Sequence, residues 1–286
     1  MRLKLTIGYD GSGFLGSQRQ ANARTVQEEL ERACSTLGGE PVSVMLAGRT
    51  DRGVHAVGQV GSCVDFRPEM TVERLQSALN LILPDDVGVS HLERVDDGFH
   101  PRYDAAWREY RYRLLVGAKQ PIAGHVGWVR RHALDVSRMS VASASLLGTH
   151  DLASFTGGGE GVPWSLRSKA RRGTTRTIRH CTVRSVPPWW GAIPGVGQAL
   201  EVRIIADGFL PQMVRTIVGG LVTIGQGDEE PDWFTRLVQL ADRRYGPDLA
   251  PAHGLILWRV GYGNDVPDPD PEDEHHAGQH GPVKHG

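Results

Sequence analysis

Between the apolar run Val42-Ser43-Val44-Met45-Leu46 and the strand-like Val57-Gly58-Gln59-Val60 lies the segment Ala47-Gly48-Arg49-Thr50-Asp51-Arg52-Gly53-Val54-His55-Ala56. One carboxylate, Asp51, sits there between Arg49 and Arg52, with Gly48 and Gly53 bounding the cluster. Glycines let a backbone turn through positive φ or approach a ligand closely. A loop of this kind, carried between two strands, can hold Asp51 rigidly while presenting its side chain, as a nucleophile or general base requires. The same residue types also suit a tight turn in which Asp51 accepts backbone hydrogen bonds and the arginines are solvated. Types alone favour the turn, so the decision falls to the full string.

Two other segments carry groups of interest. Phe209-Leu210-Pro211-Gln212-Met213-Val214-Arg215-Thr216-Ile217-Val218-Gly219 is apolar apart from Arg215 and a few neutral polar residues. A guanidinium on an apolar helix face is costly unless partnered, which points to an acid nearby; the alternative is a side chain that reaches water past its own stem. In Trp107-Arg108-Glu109-Tyr110-Arg111-Tyr112-Arg113, strand geometry places Tyr110 and Tyr112 on one face and Arg111 and Arg113 on the other.

The 286 residues, 40% hydrophobic and 23% charged, are enough for one large or two ordinary globular domains. Cys34, Cys63 and Cys181 are odd in number and in no paired spacing, which argues against a disulfide framework or a zinc site and for buried thiols in a reducing cytoplasm. The first residues run directly into strand pattern without a signal peptide, and no apolar run reaches membrane-spanning length, so a soluble, cytoplasmic protein is expected. A net charge of −1 conceals segregation: residues 264–286 hold six acids and one base, leaving a body with 27 acids against 31 bases, a net +4. Residues 161–200 contain seven bases, Arg171 and Arg172 among them, and no acid. Such a stretch suits either a solvated loop or a nucleic-acid backbone.

The elements that must position these groups follow from periodicity. Leu3, Leu5, Ile7 and Tyr9 alternate as a half-buried strand ending in the glycine-rich Asp10-Gly11-Ser12-Gly13-Phe14-Leu15-Gly16-Ser17-Gln18-Arg19-Gln20, whose spacing fits neither a P-loop nor a dinucleotide fingerprint. Thr25 and Glu28 form a capping box for a helix that stops at Gly38-Gly39. Strands are expected near 42–47 and 57–65, a helix from Thr71 to Ile82, and a strand at 87–92. The β-α-β-β-α-β order then recurs: a strand over 107–115, a helix near 135–147 capped by Asp135, strands near 176–186 and 199–206, a helix near 209–225 and a strand near 255–262, with an added helix around 231–243. This predicts an α+β protein of two tandem ferredoxin-like units, residues 1–104 and 105–263, whose sheets meet at a central active-site cleft. The acidic, His-containing tail, 264–286, has almost no large apolar residue to bury and is expected to be disordered.

The string around Asp51 resembles the signature of the tRNA pseudouridine synthase A family, G-R-T-D-A-G-V-H-A followed by G-Q-V. Gly48, Arg49, Thr50, Asp51, Gly53, Val54, His55, Ala56, Gly58, Gln59 and Val60 match it, and Arg52 replaces the usual alanine. Further similarities run from about residue 3 to 262. The loop after the first strand resembles Y-D-G-x-x-F-x-G-W-Q-R-Q, with Ser17 in place of tryptophan; the Tyr110 strand resembles R-x-Y-R-Y. The Arg215 helix resembles F-L-x-x-M-V-R-N-I-V-G, and Leu249 to Leu257 ends like A-P-A-x-G-L-x-L. Thr216, Asp207 and Gln212 depart from the family's asparagine, asparagine and histidine.

The resemblance implies a cofactor-free and metal-free isomerase that detaches uracil from ribose and rejoins it through carbon. It implies that Asp51 is the catalytic group, whether it attacks the sugar or the base or removes a sugar proton. It further implies that Tyr110 packs on the target base, Arg215 pairs with Asp51, Leu257 lines the uracil pocket and Arg49 helps hold a flipped nucleotide. A homodimer acting on the 3′ side of the tRNA anticodon stem-loop is the corresponding assembly and substrate. The competing expectations are a paralogue with another RNA substrate and a non-catalytic RNA-binding module. Arg52 and Asp207, departures of opposite charge, form a candidate compensating pair.

Overall fold

The computed structural model describes residues 1–157, 173–187, 196–263 and 266. Arg171, Arg172 and all of the acidic tail except Val266 lie outside the described residues.

Strand β1 (Arg2–Tyr9) alternates buried and half-buried positions, with Leu3, Leu5, Ile7 and Tyr9 turned into the core. Helix α1 (Val26–Gly38) starts where Thr25 Oγ1 accepts a hydrogen bond from Glu28 N and stops at Gly39, whose φ of 78° most residues avoid. The short β2 (Met45–Leu46), the long β3 (His55–Val64), α2 (Val72–Ile82, capped by Thr71) and β4 (Val87–Val95) complete the first set. The second comprises β5 (Trp107–Gly117), β6 (Trp128–Arg130), α3 (Val136–Ala144, capped by Asp135) and β7 (Gly148–Asp151). It continues through β8 (Thr175–Ser185), β9 (Val196–Ala206), α4 (Met213–Gln226), α5 (Trp233–Leu240) and β10 (Leu255–Gly261).

The described strands form one mixed sheet in the order β4-β1-β3-β10-β5-β9-β8-β7, with β2 beside β3 and β6 beside β5. The order of the first set, β4-β1-β3-β2, is repeated by β10-β5-β9-β8 in the second. The two sets join edge to edge: β3 and β10 run parallel, with Ile256 opposite His55 and Leu257 opposite Ala56. Gly58 makes this seam possible, because a Cβ there would stand 2.1 Å from the carbonyl oxygen of Trp258. One buried cluster extends through both sets, from Leu3, Leu5 and Leu30 to Ile204, Ile217 and Leu221. Each such side chain contributes about 1.5–3 kcal/mol by leaving water.

Tyr110 and Tyr112 face that cluster, whereas Glu109 and Arg111 face the other way into buried ion pairs. Glu109 Oε1 accepts from Arg111 Nε at 2.8 Å and from Arg203 Nε at 2.9 Å, and the Arg111 guanidinium lies 4.1 Å from the Trp258 ring.

Several boundaries differ from expectation for local reasons. Residues 42–44 do not form a strand, because Val42 N donates to Ser35 Oγ and Val44 N to Glu31 Oε1, so side chains of α1 take the place of a ladder partner. Helix α4 begins at Met213 rather than 209, since Gln212 adopts φ 58° and breaks the turn. Helix α5 ends at Leu240, before Ala241 at φ 47°. The short strands β6 and β7 are additions that periodicity did not reveal. Among the described residues no helix is long and apolar enough to cross a membrane.

Candidate active site

Asp51 occupies the loop between β2 and β3. The loop turns at Gly53, whose φ of 78° favours glycine, and closes with Val54 N donating to Asp51 O at 3.1 Å. Behind Asp51 the backbone is tied down on both sides. Gln59 Nε2 donates to Gly48 O at 2.9 Å, and Thr50 N donates to Ser17 Oγ at 2.8 Å. Ser17 N returns a bond to Thr50 O at 3.1 Å, and the Tyr9 and Thr50 hydroxyls share one at 2.8 Å. Asp51 is thus held by its neighbours while 41% of its side chain stays exposed.

Arg215 lies in the first turn of α4 and is itself fixed at both ends. Its Nε donates to Ala250 O at 2.8 Å, and Ala250 N donates to Arg215 O at 3.1 Å. Its Nη1 reaches Asp51 Oδ2 at 3.3 Å, with only 12% of the side chain exposed. The acid that an arginine on an apolar helix requires is therefore Asp51. An ion pair open to water on one side contributes about 1 kcal/mol or less to stability, so its consequence is chiefly geometric.

Beside this pair, Ala56, Leu257 and Tyr110 stand opposite one another across β3, β10 and β5, and Leu257 and Tyr110 are both buried. Phe209 meets Tyr110 edge-on, ring centroids 4.9 Å apart at 82°. Burial pushes the Tyr110 phenol well above its ordinary range; the neighbouring Tyr9 and the Asp51 carboxylate push the same way, and Arg108 opposes them. Burial likewise raises Tyr9 to about 12, despite hydrogen bonds with Thr50, Gln59 and Ser17. Both phenols remain protonated at neutral pH. The ensemble is a half-open carboxylate fixed by a guanidinium, next to a neutral aromatic ring and an aliphatic wall. It can receive a flat, weakly polar ring and act on it as nucleophile or base.

Of the residues expected at the site, Asp51, Arg215, Tyr110 and Leu257 are brought together. Arg49 is exposed and makes no hydrogen bond or ion pair among the described residues, so it remains available to a ligand. Arg171 and Arg172 fall outside the described residues. The pairing of Arg52 with Asp207 does not occur. Asp207 closes the end of the β8–β9 ladder, its Oδ1 accepting from Thr177 N at 3.0 Å, while Arg52 projects from the turn after Asp51 with no ion pair among the described residues.

Three contributors were not apparent beforehand. His55 Nδ1 lies 3.1 Å from both Gly11 N and Asp10 Oδ1, and its Nε2 lies 3.2 Å from His253 O, so the ring links the loop after β1 to the segment before β10. Its place in the matched string was the available signal. Tyr9 and Ser17 both fall within the motif-like segment that begins at the end of the first strand, Ser17 as a departure from it, but that segment assigned neither of them a role. Among the described residues no three His, Cys, Asp or Glu side chains cluster as metal ligands.

Comparison with known proteins accords with this arrangement. The tRNA pseudouridine synthase family matches residues 6–104 and 142–263. A protein of Bacillus licheniformis named tRNA pseudouridine synthase A is 38% identical over 274 residues, 92% of this chain and 100% of that protein. Those so named from Bacillus subtilis (38% over 270 residues, 92% and 100% covered) and an Exiguobacterium species (36% over 261 residues, 91% and 98%) are similar along the same length. Matched through both halves of its sheet, including the loop of Asp51 and the helix of Arg215, the chain belongs to the tRNA pseudouridine synthase family, isomerases that convert uridine to pseudouridine.

Proposed function

We propose that this protein isomerises uridine to pseudouridine in tRNA with Asp51 as the essential catalytic group. The observation that carries the proposal is the 3.3 Å contact between Asp51 and Arg215, a half-open carboxylate oriented by a guanidinium from the far end of the chain. In the reaction the bond from ribose C1′ to uracil N1 breaks and one from C1′ to C5 forms. The C5 proton is released and N1 gains a proton, so substrate and product are isomers. Asp51 serves as nucleophile or base, Tyr110 stacks on the uracil, Leu257 walls its pocket and Arg215 holds the carboxylate in place. Arg49 faces the displaced nucleotide, whose extrusion from a stem costs about a few kcal/mol. Arg171 and Arg172 contribute to holding the RNA backbone.

Residues 1–104 and 105–263 act as two ferredoxin-like units; the repeated strand order of the sheet supports this. Placement of the target uridines on the 3′ side of the anticodon stem-loop and action as a homodimer rest on the motif resemblance, and a cytoplasmic location rests on three cysteines in no paired spacing. The test is to incubate the purified protein with unmodified tRNA transcripts and map pseudouridine at each uridine. Product on the 3′ side of the anticodon stem-loop, absent with Asp51→Asn, is the expected outcome. Product elsewhere would make the protein a synthase of different site choice, and tight binding with no product would make it a binding module.

A further inference from the structure

Ser17 is fully buried and stands where the motif of related sequences has tryptophan. Three of its groups are engaged. Its backbone carbonyl accepts from Gln27 N, in the first turn of α1, at 2.9 Å. Its amide donates to Thr50 O at 3.1 Å, and its hydroxyl accepts from Thr50 N at 2.8 Å. Ser17 therefore brackets the backbone of Thr50, the residue directly before Asp51, and ties it to the start of a helix. Gly16 supports the same contact: its φ is 110°, and a Cβ added there would lie 3.1 Å from Thr50 O and 3.7 Å from Arg52 N. The strand of chain at Gly16-Ser17 thus lies against the loop that carries the carboxylate.

We infer that Ser17 is a positioning residue for Asp51: its hydroxyl fixes the Thr50 amide and so sets the direction from which the carboxylate meets the substrate. An indole cannot perform this task, since it is a hydrogen-bond donor with no acceptor to offer an N–H. The device therefore belongs to the serine at this position. A buried amide that loses its acceptor must open toward water or shift its loop, and small displacements of a reacting group slow a reaction steeply.

The inference rests on Asp51 being the catalytic group, so the wild-type protein is assayed alongside; absence of pseudouridine from wild type would defeat that assignment and leave the loop measurement below to judge Ser17. Three proteins are compared: wild type, Ser17→Ala and Ser17→Cys, the last of similar volume but with a weak acceptor. The readouts are the single-turnover rate at saturating tRNA, tRNA affinity, melting temperature, and hydrogen exchange of the Thr50 amide. Ser17→Ala should lower the saturated rate about tenfold or more, leave affinity within about twofold, and speed exchange at Thr50 while Val60 on β3 stays protected. Ser17→Cys should fall between the two. If Ser17→Ala does not fold, Ser17→Cys alone decides. A folded variant with wild-type rate at saturation and unchanged Thr50 exchange overturns the inference. An equal loss of protection across β1 and β3 overturns it too, because the role would then be general stability.

Discussion

Arg215 meets Asp51 at 3.3 Å across 164 positions of chain, and neither residue depends on the other to be held in place. Asp51 is fixed by its own loop through Thr50, and Arg215 by its bond to Ala250 O at 2.8 Å. The contact is therefore a meeting of two rigid supports, one from each half of the sheet. This is the arrangement expected of a carboxylate whose direction matters more than the stability it contributes.

The first prediction concerns the carboxylate itself. Asp51→Asn preserves size but cannot act as nucleophile or base. Turnover should disappear while tRNA affinity stays within about threefold, since an exposed amide adds no large clash. Stability should fall, because the largely buried Arg215 guanidinium loses its carboxylate partner, and that loss does not bear on the catalytic role. Near-normal single-turnover formation of pseudouridine by this variant would remove Asp51 from its assigned role.

Arg215→Lys separates charge from geometry. An ammonium has the charge but not the planar fork that serves Ala250 O and Asp51 Oδ2 at once. The rate at saturating RNA should fall about 10- to 100-fold, with little change in affinity. A lysine variant of wild-type rate would show that Arg215 acts only as a nearby positive charge.

Alkaline stability provides a test of the buried phenols. Tyr9 is raised to about 12, and Tyr110 and Tyr112 are raised further, burial being the largest cause for each. Their folded values lie above the unfolded value near 10, so their contribution is fully present below pH 10. As pH rises past 10 the unfolded chain releases these protons and the folded chain keeps them. Stability then declines by about 1.4 kcal/mol per pH unit for each tyrosine. Denaturation midpoints should begin to fall near pH 9, where the unfolded chain releases the thiol protons that the buried Cys34 and Cys181 keep in the fold, and drop more steeply between pH 10 and 12 as the tyrosines join. Ultraviolet titration of phenolate absorbance should show these ionisations only together with unfolding. In a variant with the exposed Tyr103 and Tyr245 replaced by phenylalanine, reversible phenolate formation near pH 10 in the folded state would contradict the burial of these rings.

The helices were legible in the sequence because their boundaries are chemical and local. Thr25, Thr71 and Asp135 each cap where a short polar side chain precedes an apolar stripe. The strand expected at 42–47 is confined to Met45–Leu46 for a reason that periodicity cannot encode: Ser35 and Glu31, side chains of the preceding helix, supply acceptors to Val42 and Val44. Gln212 sets the start of α4 and Ala241 the end of α5 by adopting positive φ without being glycine, a cost set by tertiary context. At the site, the loop string and the isolated Arg215 identified the pair. The roles of Tyr9, Ser17 and His55 are relations between segments, such as the 198 positions separating His55 from the carbonyl of His253. Only folded coordinates reveal these. The expected partnership of Arg52 with Asp207 rested on opposite charges without proximity, and Asp207 is instead bound to Thr177.

The last prediction follows from that correction. Arg52 is exposed, adjoins Asp51 and makes no ion pair among the described residues, so an RNA phosphate can reach it without displacing a protein partner. Arg171 and Arg172 belong to a stretch with seven bases and no acid. Neutralising a phosphate releases condensed counterions, and each contact steepens the fall of log affinity with log salt by roughly 0.7–0.9. Arg52→Ala should therefore weaken tRNA binding and make the slope shallower by about one such contact, and Arg171→Ala with Arg172→Ala by about two. The loss should be the same for tRNAs of different sequence, because phosphate contacts position an RNA without reading it. Filter binding across a series of salt concentrations measures both quantities. An unchanged slope for Arg52→Ala would mean that this arginine faces away from the RNA. A loss confined to one tRNA would instead make Arg52 a reader of base or shape, and would tie its departure from alanine to substrate choice.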